Sequence, residues 1–296
     1  MSLAVEVIAV FGPTASGKTA VADALAHRLG TEVVSADALQ VYRGLPILTN
    51  QPSRPTRLVA VRGLSETMSI GEYAPLAHAA IDELVGAHGV AVVAGGSGLY
   101  LRAALAELAV PPAPAPGARE RLEREVRDDR GAAWERLSAL DPSAAAAVHA
   151  NDRRRLVRAL ELAEVGSTLA PDKSRLWSTE VRRPTLIAGL DVEPPVLEHR
   201  IVARAEAMLA DGVVDEVREA LRGRVSRTAE AALGLRELST LPEDEALRLL
   251  VQRTRRYAAY QRKWMRRIPG LVLVDGRLAP ADSAAAIAAL AAAPPR

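Results

Sequence analysis

Cysteine is absent from all 296 residues. That excludes disulfides, thiolate zinc sites and a cysteine nucleophile. Lysine is nearly absent too, with Lys18, Lys173 and Lys263 the only three. Positive charge therefore rests on arginine, which suits planar, two-pronged contacts to phosphate, although a GC-rich genome would leave the same arginine and alanine bias. The net charge is only +2, so any nucleic-acid affinity must come from local patches rather than a global field. No apolar run reaches the roughly 18 residues of a membrane span. No charged leader or cleavage site precedes the first strand-like run. A soluble cytoplasmic protein with no membrane attachment is expected. An apolar fraction of 49% is ample for a core, and the length allows one large domain or two modest ones.

The most informative stretch is Gly12-Pro13-Thr14-Ala15-Ser16-Gly17-Lys18-Thr19. It fits the phosphate-loop pattern of glycine, four residues, Gly-Lys, then Ser or Thr. Upstream, Val5 to Phe11 is a nearly unbroken apolar run, as expected of a strand buried on both faces. Downstream, Thr19 to Arg28 has helical apolar spacing and stops at Gly30. In that setting the backbone N–H groups of Gly12 to Thr19 can ring a phosphate at the positive end of the helix dipole. Lys18 adds a point charge, and the Thr19 hydroxyl can hold Mg²⁺. The loop implies a diphosphate or triphosphate ligand without saying whether a phosphoryl group moves.

Glu32 to Ala36 is a second buried strand that ends at Asp37, followed by Ala38, Leu39 and Gln40. Loops at the carboxyl ends of parallel strands converge on the ligand crevice, which places Asp37 opposite Lys18. Position alone also allows Asp37 to be a cap or turn residue. Residues 45 to 72 are irregular, with a short strand expected at Leu58 to Val61. Tyr73 to Val85 has helical spacing, and Val90 to Ala94 is a further strand. Gly95-Gly96-Ser97-Gly98 then leads into a helix over Leu99 to Leu108. This second strand–glycine–helix junction offers more backbone donors and the Ser97 hydroxyl, or serves packing alone.

Pro111 to Gly117 is a proline-rich linker, beyond which only helices are expected up to about Trp177: Arg119 to Arg127, Ala132 to Leu140, and Asp152 to Val165 capped by Asn151. The stretch 111–184 holds 14 basic and 12 acidic residues, but Arg153, Arg154, Arg155 and Arg158 cluster at a helix start, where the dipole disfavours cations. The α/β pattern resumes with a strand at Thr185 to Leu190. Helices over Pro195 to Leu209, Val213 to Leu221, Ala229 to Leu238 and Glu243 to about Arg267 follow, then a strand at Leu271 to Val274 and a helix at Ala284 to Ala292. Between Arg248 and Arg267 lie eight basic residues, Arg255 and Arg256 among them, and no acidic one. A phosphate backbone is the natural counter-charge. The expected fold is α/β, a phosphate-loop parallel sheet flanked by helices over 1–110 and 185–296, with a helical insertion at 111–184.

A triphosphatase or kinase also wants a strand-end carboxylate for Mg²⁺, yet Val90 to Ala94 ends in glycines. A small-molecule kinase using Asp37 as base stays open on these residues. The phosphate loop, Ser35 to Gly44, Gly95 to Arg102, Asn151 to Glu161, and Arg255-Arg256-Tyr257-Ala258 with Gln261 and Trp264 together resemble, in order, the bacterial tRNA dimethylallyltransferases. The resemblance runs from residue 8 to about 274. It implies transfer of a dimethylallyl group from dimethylallyl diphosphate to N6 of the adenosine 3′ of the anticodon, with a flipped base and the anticodon stem-loop of tRNA as partner. It implies Asp37 as the base, with Ser97 and Lys18 beside it. Residues 12–19, Arg200 and Arg204 would hold the diphosphate, with Mg²⁺ at Thr19. Asp37, Ala38, Leu39, Gln40, Ser97, Arg119, Arg154, Arg155, Arg158, Arg255 and Arg256 would meet tRNA. A cytoplasmic monomer is implied; an isopentenyltransferase acting on free adenine nucleotides is the nearest alternative. The chain departs from the family at Ser97, usually threonine, at Thr49-Asn50-Gln51-Pro52, usually Thr-Ala-Lys-Pro, and at Ala231 to Leu235, usually Gln-Ala-Ile-Gly-Tyr. The segment Pro52 to Met68 is short and lacks a histidine pair. These differences bear on affinity and tRNA preference more than on reaction type.

Overall fold

The computed structural model describes residues 3–108, 114–115, 117–169, 176 and 178–293. Six parallel strands form one sheet: β1 (Val7–Phe11), β2 (Val33–Ser35), β3 (Thr56–Arg57), β4 (Ala91–Gly95), β5 (Thr185–Asp191) and β6 (Leu271–Asp275), in the order β3-β2-β4-β1-β5-β6. Alternation along each central strand explains its uniform apolarity. Val7, Ala9 and Phe11 enter one core and Ile8 and Val10 the other. On the first face α2 (Ile70–His88) and α3 (Gly98–Leu105) supply Tyr73, Ala77, Ile81, Tyr100 and Leu101. On the second, α1 (Lys18–Leu29) and the C-terminal α12 (Pro280–Ala292) supply Val21, Leu25, Ile287 and Ala291.

Register positions the site. Phe11 pairs with Gly95, and Val10 and Ser35 both pair with Ala94. Strands β1, β2 and β4 therefore end level, and the segments beginning at Gly12, Ala36 and Gly96 leave the same edge of the sheet.

The chain forms two compact units, 1–108 with 176–296, and 109–175. In the second, α4 (Ala118–Asp128), α5 (Arg130–Leu140), α6 (Pro142–Ala147) and α7 (Arg153–Ala163) pack Leu122, Val126, Leu137, Leu156 and Leu160 into a core of their own. In the first, α8 (Pro194–Ala210), α9 (Val213–Ala220), α10 (Glu237–Thr240) and α11 (Glu243–Met265) form a further apolar cluster with Leu45 and Leu48. Arg102, buried on α3, donates Nε to the Leu176 carbonyl (3.1 Å) and Nη2 to those of Ser178 (3.0 Å) and Glu180 (3.2 Å). It thereby fastens the segment that leads into β5.

Three local expectations need correction. The short strand lies at Thr56–Arg57, where it pairs with Val33 and Val34, and not at Leu58 to Val61; Leu58 and Ala60 have positive φ, which a strand does not tolerate. The helix expected over Ala229 to Leu238 is a 3-10 turn at Ala229–Ala231 and the short α10, separated by Gly234 at φ 96. The cap of α7 is Asp152, whose Oδ1 accepts the Arg155 N–H (3.0 Å), rather than Asn151. That carboxylate at the N-terminus offsets part of the dipole's conflict with the arginines.

Candidate active site

Gly12 to Gly17 turns from β1 into α1 with Ala15 (φ 64) and Gly17 (φ 88) in the left-handed region. A non-glycine residue there is uncommon, and such alternating backbone forms the concavity that binds anions. The ring of donors is smaller than the sequence suggests. The Thr14 N–H donates to Gln261 Oε1 (2.7 Å) and the Ser16 N–H to the Pro13 carbonyl (3.1 Å). Those of Ala15, Gly17, Lys18 and Thr19 make no hydrogen bond among the described residues and are open to a ligand.

Helix α8 presents Arg200 and Arg204, one turn apart on one face, to this loop. Arg204 Nη1 donates to Thr14 Oγ1 (2.9 Å), and Arg200 Nη1 reaches the carbonyls of Ser16 and Gly276 (both 3.4 Å). Burial lowers the Lys18 ammonium to about 8; Asp37 opposes the fall and Arg204 adds to it, while the side chain as a whole keeps partial exposure. Burial likewise lowers Arg204, again opposed by Asp37. Lys18, Asp37 and Arg204 thus act on one another electrostatically.

Asp37 shares a cleft with Lys18, Thr19, Ser35, Gln40 and Gly95. Its Oδ1 accepts the N–H groups of Leu39 (2.9 Å) and Gln40 (3.4 Å), so it does hold the turn that follows β2. Both bonds end on the same oxygen, which leaves Oδ2 able to take a proton. Its charge also acts on Tyr73, Tyr100 and Tyr257. Burial first, then neighbouring groups including Asp37, pushes all three phenols well above their ordinary range, so they remain neutral hydroxyls.

Ser97 is the N-cap of α3 yet makes no side-chain capping bond, so its hydroxyl is open. Gln40 is engaged internally: Oε1 accepts the Ser35 hydroxyl (2.8 Å) and Nε2 donates to the Asn50 carbonyl (2.8 Å). Ala38 and Leu39 are half-buried beside it. Gln51, where the resemblance would place lysine, donates Nε2 to the Tyr42 carbonyl (2.7 Å). An amide there stitches the loop in place.

The arginines separate into two groups. In the helical unit Arg119 Nε (2.6 Å) and Arg158 Nη1 (2.9 Å) both reach the fully buried Glu161 carboxylate. Arg154 and Arg155 are exposed and make no side-chain bond among the described residues. On α11, Arg255 and Arg256 are exposed in the same way. The lopsided charge of that helix is partly compensated from elsewhere, because Arg253 pairs with Glu237 and Arg262 with Asp191 (3.4 Å).

Sequence reasoning left two residues of this region without a role. Asp23, one helical turn after Thr19, lines the same cleft, its carboxyl raised by burial against the pull of Arg54; its spacing from Thr19 was the available signal. Gln261, 2% exposed, holds both glycine loops, donating Nε2 to the Gly96 carbonyl (2.8 Å). The second glycine junction does serve packing: a Cβ on Gly95 would strike the Ala36 carbonyl, on Gly96 the Gln261 amide, and on Gly98 the Trp264 ring. Among the described residues no cluster of three His, Asp or Glu side chains suits a metal ion, and no helix is long and apolar enough to cross a membrane.

An anion-binding loop at the carboxyl edge of a parallel sheet, sharing a cleft with a carboxylate, is the arrangement of a phosphate-loop protein. The family model described as IPP transferase matches residues 40–268, and that of isopentenyl transferase residues 5–59. The chain is 40% identical to a tRNA dimethylallyltransferase of Salinispora tropica over 91% of its own length and 88% of that protein's. It is 41% identical to one of Anaeromyxobacter dehalogenans over 90% and 94% respectively. The crystal structure of the full-length tRNA isopentenylpyrophosphate transferase of Bacillus halodurans superposes with a TM-score of 0.68 at 30% identity, covering 96% of this chain and 95% of that one. A eukaryotic dimethylallyltransferase acting on tRNA shares the fold, with a TM-score of 0.75 at 22% identity. The chain belongs to the tRNA dimethylallyltransferase family.

Proposed function

We propose that this chain transfers the dimethylallyl group of dimethylallyl diphosphate to N6 of the adenosine 3′-adjacent to the anticodon in tRNA and releases diphosphate. The observation that carries the proposal is the cleft shared by Asp37, with its open Oδ2, and by Lys18 and Thr19. An exocyclic adenine amine is a weak nucleophile because its lone pair is delocalised into the ring. As N6 bonds to the allylic carbon and the carbon–oxygen bond breaks, a proton leaves N6. Asp37 Oδ2 accepts it. Negative charge grows on the departing diphosphate, where Lys18, Arg200, Arg204 and the open loop N–H groups meet it in fixed positions. The Ser97 hydroxyl, on the neighbouring loop, orients the base.

Mg²⁺ fits this site in one specific way. Thr19 lines the cleft with a hydroxyl that makes no hydrogen bond among the described residues. With no cluster of acids to cage the ion, its remaining positions would be filled by diphosphate oxygens and water, a common arrangement for Mg²⁺. It would neutralise charge on the leaving group.

Exposed Arg154, Arg155, Arg255 and Arg256 are the candidates for backbone phosphates of the anticodon stem-loop. Arg119 and Arg158 are held by Glu161, which suits them to fixed-geometry contacts. Labelled donor offered with unmodified tRNA or with AMP tests the acceptor. Label in tRNA alone is expected; label in AMP would move the chain to the free-nucleotide class, and ATP-dependent phosphoryl transfer without donor would make it a kinase.

A further inference from the structure

The geometry points to Gln261 as a positioning residue that sets the spacing between the diphosphate cradle and the Ser97 loop. The inference rests on the prenyl-transfer reading of the site. A single buried amide connects the two loops: Oε1 accepts the Thr14 N–H at 2.7 Å and Nε2 donates to the Gly96 carbonyl at 2.8 Å. Thr14 is the residue whose hydroxyl receives Arg204, and Gly96 directly precedes Ser97. One line of contacts thus runs from a diphosphate arginine through the cradle and the amide to the loop beside the reacting base.

The neighbours of Gln261 rule out a loose fit. Gly96 has no room for a Cβ against the amide, and one turn on, Trp264 fills the space over Gly98. One turn back on the same helix, the Tyr257 phenol is raised by burial and by the charge of Asp37, and Gln261 opposes that rise. Tyr257, Gln261 and Trp264 recur at four- and three-residue spacing, so they share one face of α11. The exposed Arg255, Arg256 and Lys263 lie on the same helix and leave it towards solvent. Helix α11 therefore carries basic groups outside and the loop-spacing amide inside.

Glutamine is specifically required, because the Thr14 N–H needs an acceptor and the Gly96 carbonyl a donor. Methionine supplies neither at similar length. A carboxylate supplies the acceptor only, whereas a protonated carboxyl supplies both.

Two variants test this. Affinity for inorganic diphosphate with Mg²⁺ is measured by calorimetry on the full chain, alongside affinity for unmodified tRNA. Q261M is expected to lose about tenfold or more in diphosphate affinity, the size of one buried hydrogen bond to a ligand-holding loop, with tRNA affinity unchanged. Equal diphosphate affinity in Q261M and wild type would overturn the inference while leaving the prenyl-transfer reading intact. A wild-type chain that binds no diphosphate would overturn both. A second variant keeps the test independent of the folding of Q261M: the ratio of Q261E to wild-type transfer rates is followed with pH. Dividing by wild type removes the pH dependence common to both. Burial raises a carboxyl's pKa, so the ratio should climb as pH falls and the introduced group gains its proton. A ratio independent of pH would contradict the donor–acceptor role.

Discussion

Replacing Asp37 with asparagine isolates proton acceptance from folding. The amide keeps an acceptor at Oδ1 for the Leu39 and Gln40 N–H groups, so the turn after β2 survives. Asp37→Ala would also remove those bonds, at a cost of about 1 kcal/mol each, and mix two effects. What asparagine lacks is a basic Oδ2. A positioned general base contributes about 10²–10⁴-fold, or about 3–5 kcal/mol of barrier, and single-turnover transfer with tRNA prebound should slow by that factor. A second consequence follows from charge. Asp37 holds the Lys18 pKa up against the burial that lowers it to about 8, so D37N lets Lys18 lose its proton at lower pH. Donor affinity in D37N should then match or exceed wild type well below pH 8, where a repelling carboxylate has been removed, and fall below it as pH approaches 8. tRNA affinity should barely change. Rapid-quench rates and donor titrations at the two pH values give both numbers. A single-turnover rate near wild type would remove Asp37 from the chemistry.

Other consequences are as direct. In the wild type, donor KM should rise as pH climbs through about 8, because Lys18 binds diphosphate only in its charged form; a pH profile of KM reads this. For stability the sign is opposite. The folded-state pKa of about 8 lies below the ordinary 10.5, so the unfolded chain binds more protons between those values and the fold gains stability as pH rises through that window. Lys18→Met should accordingly melt higher than wild type at neutral pH while losing diphosphate binding, separable by thermal melts with and without diphosphate. Arg154→Ala should weaken tRNA binding and flatten the slope of log affinity against log salt by about 0.9; an unchanged slope would make it an ordinary solvated residue. Glu161→Ala leaves Arg119 and Arg158 without their buried partner and should destabilise the helical unit by about 3 kcal/mol, read by denaturant melts of the full chain.

Much of this was legible because the central strands are buried on both faces. Val7 to Phe11 shows no alternation to misread, and the glycine pattern marks the turn that follows. Asp37 was legible as a strand-end residue on a convergent edge. Its second task, holding the turn through Oδ1, depends on backbone geometry that spacing does not reveal. The two-residue β3 carries no apolar signature, and its neighbour Leu58 to Val61 does, so pattern misplaced the strand. The apolar spacing across Ala229 to Leu238 survived Gly234, whose positive φ interrupts the helix. Gln261 is one of two glutamines in an arginine-rich helix, and although it belongs to the resemblance, nothing local gives it a role. Only the close approach demanded by Gly96 and Gly98, 165 and 166 residues away in the chain from their contacts at Gln261 and Trp264, explains it.

The most direct test incubates the protein with unmodified tRNA, dimethylallyl diphosphate and Mg²⁺, then digests the tRNA and identifies nucleosides by mass. N6-dimethylallyl adenosine is expected at the position after the anticodon, with one diphosphate released for each group transferred. Unaltered tRNA from a folded protein that binds both substrates would contradict it.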